Sequence, residues 1–258
     1  MIYMLTSTIT GSAARCAPDP PYIPPLPNFC EVNTMVNPNV TLASEIYHKL
    51  WAKISTLELK PGERLSESGI ARSFGCSRVP VREAIRLLVS NGALEVLPQR
   101  GSFVTKIDTK QMEQFRYLRE VLETRVVLQG FDKGLLNPLV PFMWSLIERQ
   151  KNYLALNDFI RTLELDNEFH RIFYSVDNKE FVLEHTGEHE IHYYRARLLS
   201  MELEPRNMII HQHRQIVEAI ERCDRAGLEQ ALISHFTNVS NVLLDPSLVE
   251  EEYRAYLR

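Results

Sequence analysis

Hydrophobic positions recur with a helical period from residue 41 onward and show no sustained period before it. Leu42, Ile46, Leu50 and Ile54 fall every four residues behind Thr41, a residue type suited to cap a helix N-terminus. Lys60-Pro61-Gly62 is a turn signal that ends this helix. A short helix over 66–74, closed by Gly75, follows, and then a longer one from Ser77 to Asn91, ended by Gly92. Two β-prone runs, 94–97 and 102–105, flank Pro98-Gln99-Arg100-Gly101 and predict a hairpin. From Thr109 almost every segment is helical in period, with breaks near Gly134–Pro138, Asn178, Pro205, Asp224 and Pro246. That pattern predicts six or so helices in a bundle of about 140 residues.

The expected fold is therefore mainly α. An N-terminal winged helix-turn-helix (three helices plus a two-stranded wing) occupies 39–106, an all-α helical bundle 107–246, and a C-terminal tail 247–258. Residues 1–38 hold seven prolines and no pattern of either period, and are expected to be a disordered extension. Their opening stretch has no basic run and its apolar positions are interrupted by Thr and Ser, unlike a signal peptide. Met35, just ahead of the ordered pattern, is a candidate start codon, in which case 1–34 are an upstream extension.

Composition narrows the class without naming a function. Hydrophobic residues make up 45% and charged residues 24%, an ordinary globular balance. No run approaches the ~18–20 apolar residues that a membrane span needs. Cys16, Cys30, Cys76 and Cys223 form no CxxC pair, so neither a disulfide framework nor a thiolate zinc site is expected, and the location is read as cytoplasmic. The net charge of −4 conceals an asymmetry. Residues 39–105 carry nine Lys and Arg against six Asp and Glu, leaving the excess of acid to the rest of the chain. A mildly basic module joined to an acidic one suits a polyanion binder fused to a regulatory unit.

The second helix of the helix-turn-helix has the residues of a reader. Arg78, Arg82 and Arg86 stand at i, i+4 and i+8, one cationic stripe. Val81, Ile85, Leu88 and Val89 form the apolar face that packs on the preceding helix. Pro80 lies in the first turn, where its missing N–H is harmless, and Ser77 as N-cap leaves first-turn amides open to a phosphate. Arginine suits a base-reading role because its planar fork can bond guanine O6 and N7 together. Gln99, Arg100 and Gly101 at the wing tip can reach an adjacent groove or the backbone. Outside this context three helical arginines would read as a solvated face.

The run PGERLSESGIARSFGCSRVPVREAIRLLVSNGALEVLPQRGSFV resembles the DNA-binding domain of the GntR family of regulators. Leu-x-Glu, Ser-Arg-x-Pro-Val-Arg-Glu-Ala and Arg-Gly-x-Phe-Val all match the family pattern. The resemblance implies DNA contacts at Arg64, Ser77, Arg78 and Arg82, with Gly101 as the wing glycine. Val79 departs from relatives that carry a polar contact residue there.

The bundle holds seven of the eight histidines. Asp166 and His170 are four apart and share a helix face. Cys223-Asp224-Arg225-Ala226-Gly227 reads as the turn of a helical hairpin, and His213 and His235 are each eleven residues from Asp224, at similar heights across it. One carboxylate and three imidazoles inside a bundle suit zinc or a similar divalent ion with open positions; taken alone, they read equally well as core histidines. His185, His189 and His192 form a competing group, though HEIH is one residue short of the HExxH spacing. The helical half is similar to the FCD effector-binding domain of the FadR branch. That resemblance implies a divalent metal, zinc with nickel or manganese as alternatives, on Asp166, His170, His213 and His235. It further implies a small carboxylate effector with Arg119, Arg195 and Arg197 near it.

These readings lead to a non-enzymatic, homodimeric transcription regulator, a repressor with an activator as the open alternative, bound to a pseudo-palindromic DNA operator and switched by a carboxylate, with no membrane partner. The alternatives are a metal-dependent hydrolase fused to a DNA-binding module, and an architectural DNA-binding dimer with a non-functional pocket.

Overall fold

The computed structural model of the chain describes residues 41–184, 191–203, 207–238, 243 and 249–258. The proline-rich extension, His185, His189 and the breaks at Pro205 and Pro246 lie outside the described residues.

The first helix, α1, spans Leu42–Ser55 and begins where Thr41 accepts a hydrogen bond from the Ser44 amide. Its buried face is Ala43, Ile46, Leu50, Trp51 and Ile54; Ile46, Leu50 and Ile54 are as the period predicts, whereas Leu42 in the first turn is exposed. Helix α2, Glu67–Ser73, starts at the Ser66 cap, and the chain turns at Gly75 with φ +61°. Helix α3 is Arg78–Ser90 and buries Val81, Ala84, Ile85 and Leu88 against the other two. Val89, expected on that face, is exposed instead. Eight residues beyond Val81 the helix has turned by roughly 80° relative to it, whereas Leu88 returns to within roughly 20°.

The wing is one strand larger than expected. Strands β2 (Leu94–Leu97) and β3 (Gly101–Val104) form the hairpin, and the two-residue β1 (Arg64–Leu65) adds to the other edge of β3. Pairing is antiparallel throughout, with Arg64 opposite Phe103 and Leu97 opposite Gly101. A two-residue strand has no period to detect; it exists because β3 offers it an edge.

Helix α4, Thr109–Asp132, opens the bundle from an Asp108 cap. After a 3₁₀ turn at Asn137–Leu139 come α5 (Val140–Ala155), α6 (Phe159–Ser175), α7 (Glu180–Glu184), α8 (Ile191–Leu203), α9 (Met208–Glu221) and α10 (Arg225–Asn238). The α5–α6 break at Asn157 and Asp158 escapes the pattern, although Asn157 takes φ +58° and Asp158 caps the next helix. Leu146, Phe169, Phe173, Ile216, Ile220, Leu232 and Phe236 make the core. The Cys223–Gly227 turn forms as expected, with the Asp224 carboxylate accepting from the Gly227 amide.

Helix α8 joins the two halves. Ile191 belongs to the core of the winged half, and the buried Arg195 donates to the Thr105 carbonyl at 2.7 Å and to its hydroxyl at 3.1 Å. The segment expected as a tail is tied down here too. Helix α11 (Glu251–Arg254) leads to a parallel bridge between Leu257 and Ile107, with Arg258 N donating to Ile107 O at 2.9 Å.

Leu88, fully buried, locks α3 to the winged core. Leu88→Ala is expected to lower the unfolding free energy of the winged half by about 2–5 kcal/mol, measured by urea denaturation.

Candidate functional site

The outward side of the winged half collects the predicted cations. Arg78, Arg82 and Arg86 are all exposed on α3, away from its buried face. Ser77 is the residue before the helix and makes no side-chain cap bond, so the first-turn amides stay open. Val79 is 74% exposed beside them, an apolar side chain on the solvent side. Arg82 Nε donates to Glu67 Oε2 at 2.9 Å, which tethers it to α2. Gln99 and Arg100 are exposed at the wing tip, where Gln99 takes φ +60° and Gly101 φ +105°. A side chain at 101 would stand 3.3 Å from Arg64 Nε, so the glycine lets the Arg64 guanidinium lie across the wing. The structure thus brings Arg64 and Gly101 together, and sets the α3 arginines on the same small domain.

A second site lies inside the bundle. His170 comes from α6, His213 from α9 and His235 from α10; all three are buried, and one ring nitrogen of each falls within 4.8 Å of the others. His170 Nε2 and His235 Nε2 are 3.1 Å apart. Asp166, one turn before His170, places Oδ1 3.2 Å from His213 Nε2 and 3.9 Å from His170 Nε2. Phe169 stacks on the His213 ring with centroids 4.1 Å apart.

The Nδ1 atoms face outward onto acceptors. His213 Nδ1 meets Gln150 Oε1 at 2.9 Å, and the Gln150 amide nitrogen reaches the Thr162 carbonyl, which orients the amide. His235 Nδ1 meets Gln212 Oε1 at 3.1 Å. His170 Nδ1 meets Glu123, whose other oxygen accepts from Arg119 Nε at 3.1 Å and from the Tyr174 hydroxyl at 3.3 Å. Burial alone would push the Glu123 carboxyl up, but His170 and Arg119 hold it below its usual range, so it is ionised. Burial, and then the neighbouring His170, depress His213 and His235 well below the usual histidine range, which keeps both rings neutral. With the proton on Nδ1, His213 Nε2 and His235 Nε2 present lone pairs to the centre, that of His235 facing His170 Nε2. Among the described residues His213 Nε2 and Asp166 Oδ1 have no hydrogen-bond partner despite full burial. A buried carboxylate and three converging imidazole nitrogens, with two of the four donors unpartnered, are a donor set that fits a divalent cation.

The three predicted arginines separate. Arg197 binds Asp166 Oδ2 and donates to Asn167 Oδ1 at 2.8 Å, beside the histidines. Arg119 lies under Tyr193 and Phe236, and the Glu123 carboxylate more than offsets burial to raise its pKa. Arg195, expected near the effector, is instead on Thr105 at the junction. On α8 it is two residues from Arg197, hence roughly 200° around the helix. His192 of the competing cluster also sits at the junction, accepting from the Asp108 amide at 3.2 Å; burial, then Arg195 and Arg258, push it down to about 4. Glu123, Gln150 and Gln212 escaped the sequence reading. Their signal was present: Gln150 interrupts the apolar run of Leu146, Ile147 and Leu154, and Glu123 is four residues from Arg119.

Comparison with known proteins decides the family. Residues 42–104 match "Bacterial regulatory proteins, gntR family", and residues 118–238 match the FCD domain. The chain belongs to the GntR family. It is a transcriptional regulator with a DNA-binding winged half and an FCD half. It is 29% identical to the HTH-type transcriptional repressor RspR of Escherichia coli (strain K12) over 216 residues, 81% of this chain and 92% of the relative. The gluconate operon transcriptional repressor of Bacillus subtilis (strain 168) is 26% identical over 206 residues, 78% and 84% of the two chains. The solved structure of E. coli McbR/YncC shares the fold, with a TM-score of 0.60 at 22% identity, covering 80% of this chain and 97% of that one. No helix among the described residues of this GntR-family regulator is long and apolar enough to cross a membrane.

Arg197 and Asp166 form a pair almost wholly shielded from water. Arg197→Met is expected to cost about 3–5 kcal/mol of stability in metal-free buffer, because Asp166 is left as an unmatched buried charge; urea unfolding measures it.

Proposed function

We propose that this regulator binds a pseudo-palindromic DNA operator as a homodimer, represses through it, and releases or tightens its grip when a small carboxylate enters a metal-containing pocket in the FCD half. The observation that carries the pocket is the set of four buried donors, two of them without a hydrogen-bond partner. His170, His213, His235 and Asp166 would hold a divalent ion, zinc with nickel and manganese as alternatives. When bound, the ion supplies a positive centre for an anionic ligand. Glu123 and Asp166 are each matched by an arginine, Arg119 and Arg197, so an added dication is not neutralised by these carboxylates and favours an anion. The relative named for a gluconate operon, gluconate being a hydroxycarboxylate, supports that class.

On the DNA side, α3 enters the major groove and Arg78, Arg82 and Arg86 face the base edges, with Ser77 and the first-turn amides on phosphate. Arg64, Gln99, Arg100 and Gly101 follow the adjacent backbone or minor groove. Two copies would place their reading helices one helical turn, about 34–36 Å, apart. Helix α8 connects the sites: Tyr193 and Arg197 face the pocket, and Ile191, His192 and Arg195 hold the winged half through Thr105 and Asp108. An anion that draws Arg197 from Asp166 would turn α8 and carry the winged half with it, which biases operator affinity.

Arg78→Ala and Arg82→Ala are each expected to weaken specific binding about 10–100-fold while leaving the circular dichroism spectrum unchanged. Footprinting on genomic fragments selected by the wild-type protein measures this, and an unchanged footprint would remove α3 as the reader. For the pocket, zinc followed by a panel of carboxylates should raise the melting temperature of protein purified without a tag. A carboxylate at about 100-fold excess over its Kd adds ~2.7 kcal/mol. No shift with any metal defeats the sensor reading.

A further inference from the structure

Each histidine of the buried cluster is backed by a polar side chain from a different helix. Glu123 on α4 backs His170 of α6, Gln150 on α5 backs His213 of α9, and Gln212 on α9 backs His235 of α10. All six residues are buried, so none of these contacts is shared with bulk solvent. A buried ring nitrogen has two ways to be satisfied, as donor or as acceptor, and the backing atom chooses between them. Gln150 is committed as an acceptor because its amide nitrogen is directed at the Thr162 carbonyl. Glu123, ionised and already accepting from Arg119 and Tyr174, can only accept. In each case a proton is drawn to Nδ1, which leaves Nε2 as the nitrogen that faces the centre.

We infer that Glu123, Gln150 and Gln212 are the positioning residues of this pocket, presetting the tautomer and tilt of the three histidines for a divalent cation before one arrives. This rests on the metal reading of the pocket given above. The three are not equivalent. The glutamines offer neutral dipoles, whereas Glu123 brings a charge and links His170 through Arg119 to Tyr193. Five helices thereby contribute to one centre, so the donor geometry reports whether the bundle is correctly closed.

The test uses the full chain stripped of metal and titrated with zinc alone in competition with a chelating dye, each variant first checked by its apo melting curve. Gln150→Leu and Gln212→Leu are expected to weaken zinc about 10–100-fold, as is Glu123→Gln. Gln150→Glu, which keeps the acceptor, should hold or exceed wild-type affinity. Long-range ¹H–¹⁵N spectra of the apo wild-type protein should show His213 and His235 as the Nδ1–H tautomer and His170 protonated at Nδ1, with His213 losing that preference in Gln150→Leu. If Glu123→Gln fails to fold, the two glutamine positions decide alone. Folded leucine variants that bind zinc within twofold of wild type, or an Nε2–H tautomer of His213 or His235 in the apo protein, overturn the inference. A wild-type protein that takes up no zinc, nickel or manganese overturns the metal reading itself, a distinct outcome seen before any variant is made.

Discussion

A carboxylate without access to water must find a partner for its charge and for its lone pairs, and Glu123 at the centre of the bundle meets that demand on every side. Arg119 supplies the countercharge one turn earlier on the same helix, His170 reaches it from α6, and the Tyr174 hydroxyl completes the set. Unpaired, such a group would cost several kcal/mol, more than a domain of this size can spare. The requirement fixes α4 against α6, and through Arg119 and Tyr193 it fixes α4 against α8. Asp166 with Arg197 repeats the arrangement on the other side of the histidines. The helices are therefore held by the buried Glu123–His170 contact and the buried Asp166–Arg197 ion pair as well as by the apolar core of Leu146, Phe169, Ile216 and Phe236.

The same helix that closes this centre also reaches the winged half. Helix α8 is buried along Ile191–Ser200, unusual for an element with two arginines and a histidine in that stretch. Its burial is possible because each face has a separate polar destination. Arg195 satisfies itself on the Thr105 backbone and hydroxyl, next to the point where Thr105 bonds Gly92 at the end of the reading helix. The C-terminal residues close the same region, with Leu257, Ile107 and Tyr193 in one apolar cluster and Arg258 on Asp108. The linker between the halves is thus held from both sides.

How much of this was legible depends on the range of the interaction. Most of the stripe of α1, the Thr41 cap, the Gly75 turn and the arginine row of α3 depend on neighbours within a few residues, and were readable from spacing. The hairpin turn at Asp224 was readable for the same reason, and with it the meeting of His213 and His235. Val89 was misjudged because a stripe drawn eight residues long outruns the turn of the helix. Strand β1 and the α5–α6 break were missed because one depends on a distant edge and the other on a left-handed Asn157 that periodicity does not register.

The local order of this protein was determined by its sequence: which segments are helices, which residues cap and end them, and that acid, imidazole and arginine would lie on particular faces. The motifs in residues 42–104 sufficed for the family because their meaning is carried by contiguous residues. Only the tertiary structure decided which of the three arginines faced the histidines, sending Arg197 to Asp166 and Arg195 to Thr105. It alone placed Glu123, Gln150 and Gln212 behind the rings. Two residues on one helix face in opposite directions, and a direction acquires chemistry only when another helix, tens of residues away, supplies what lies there.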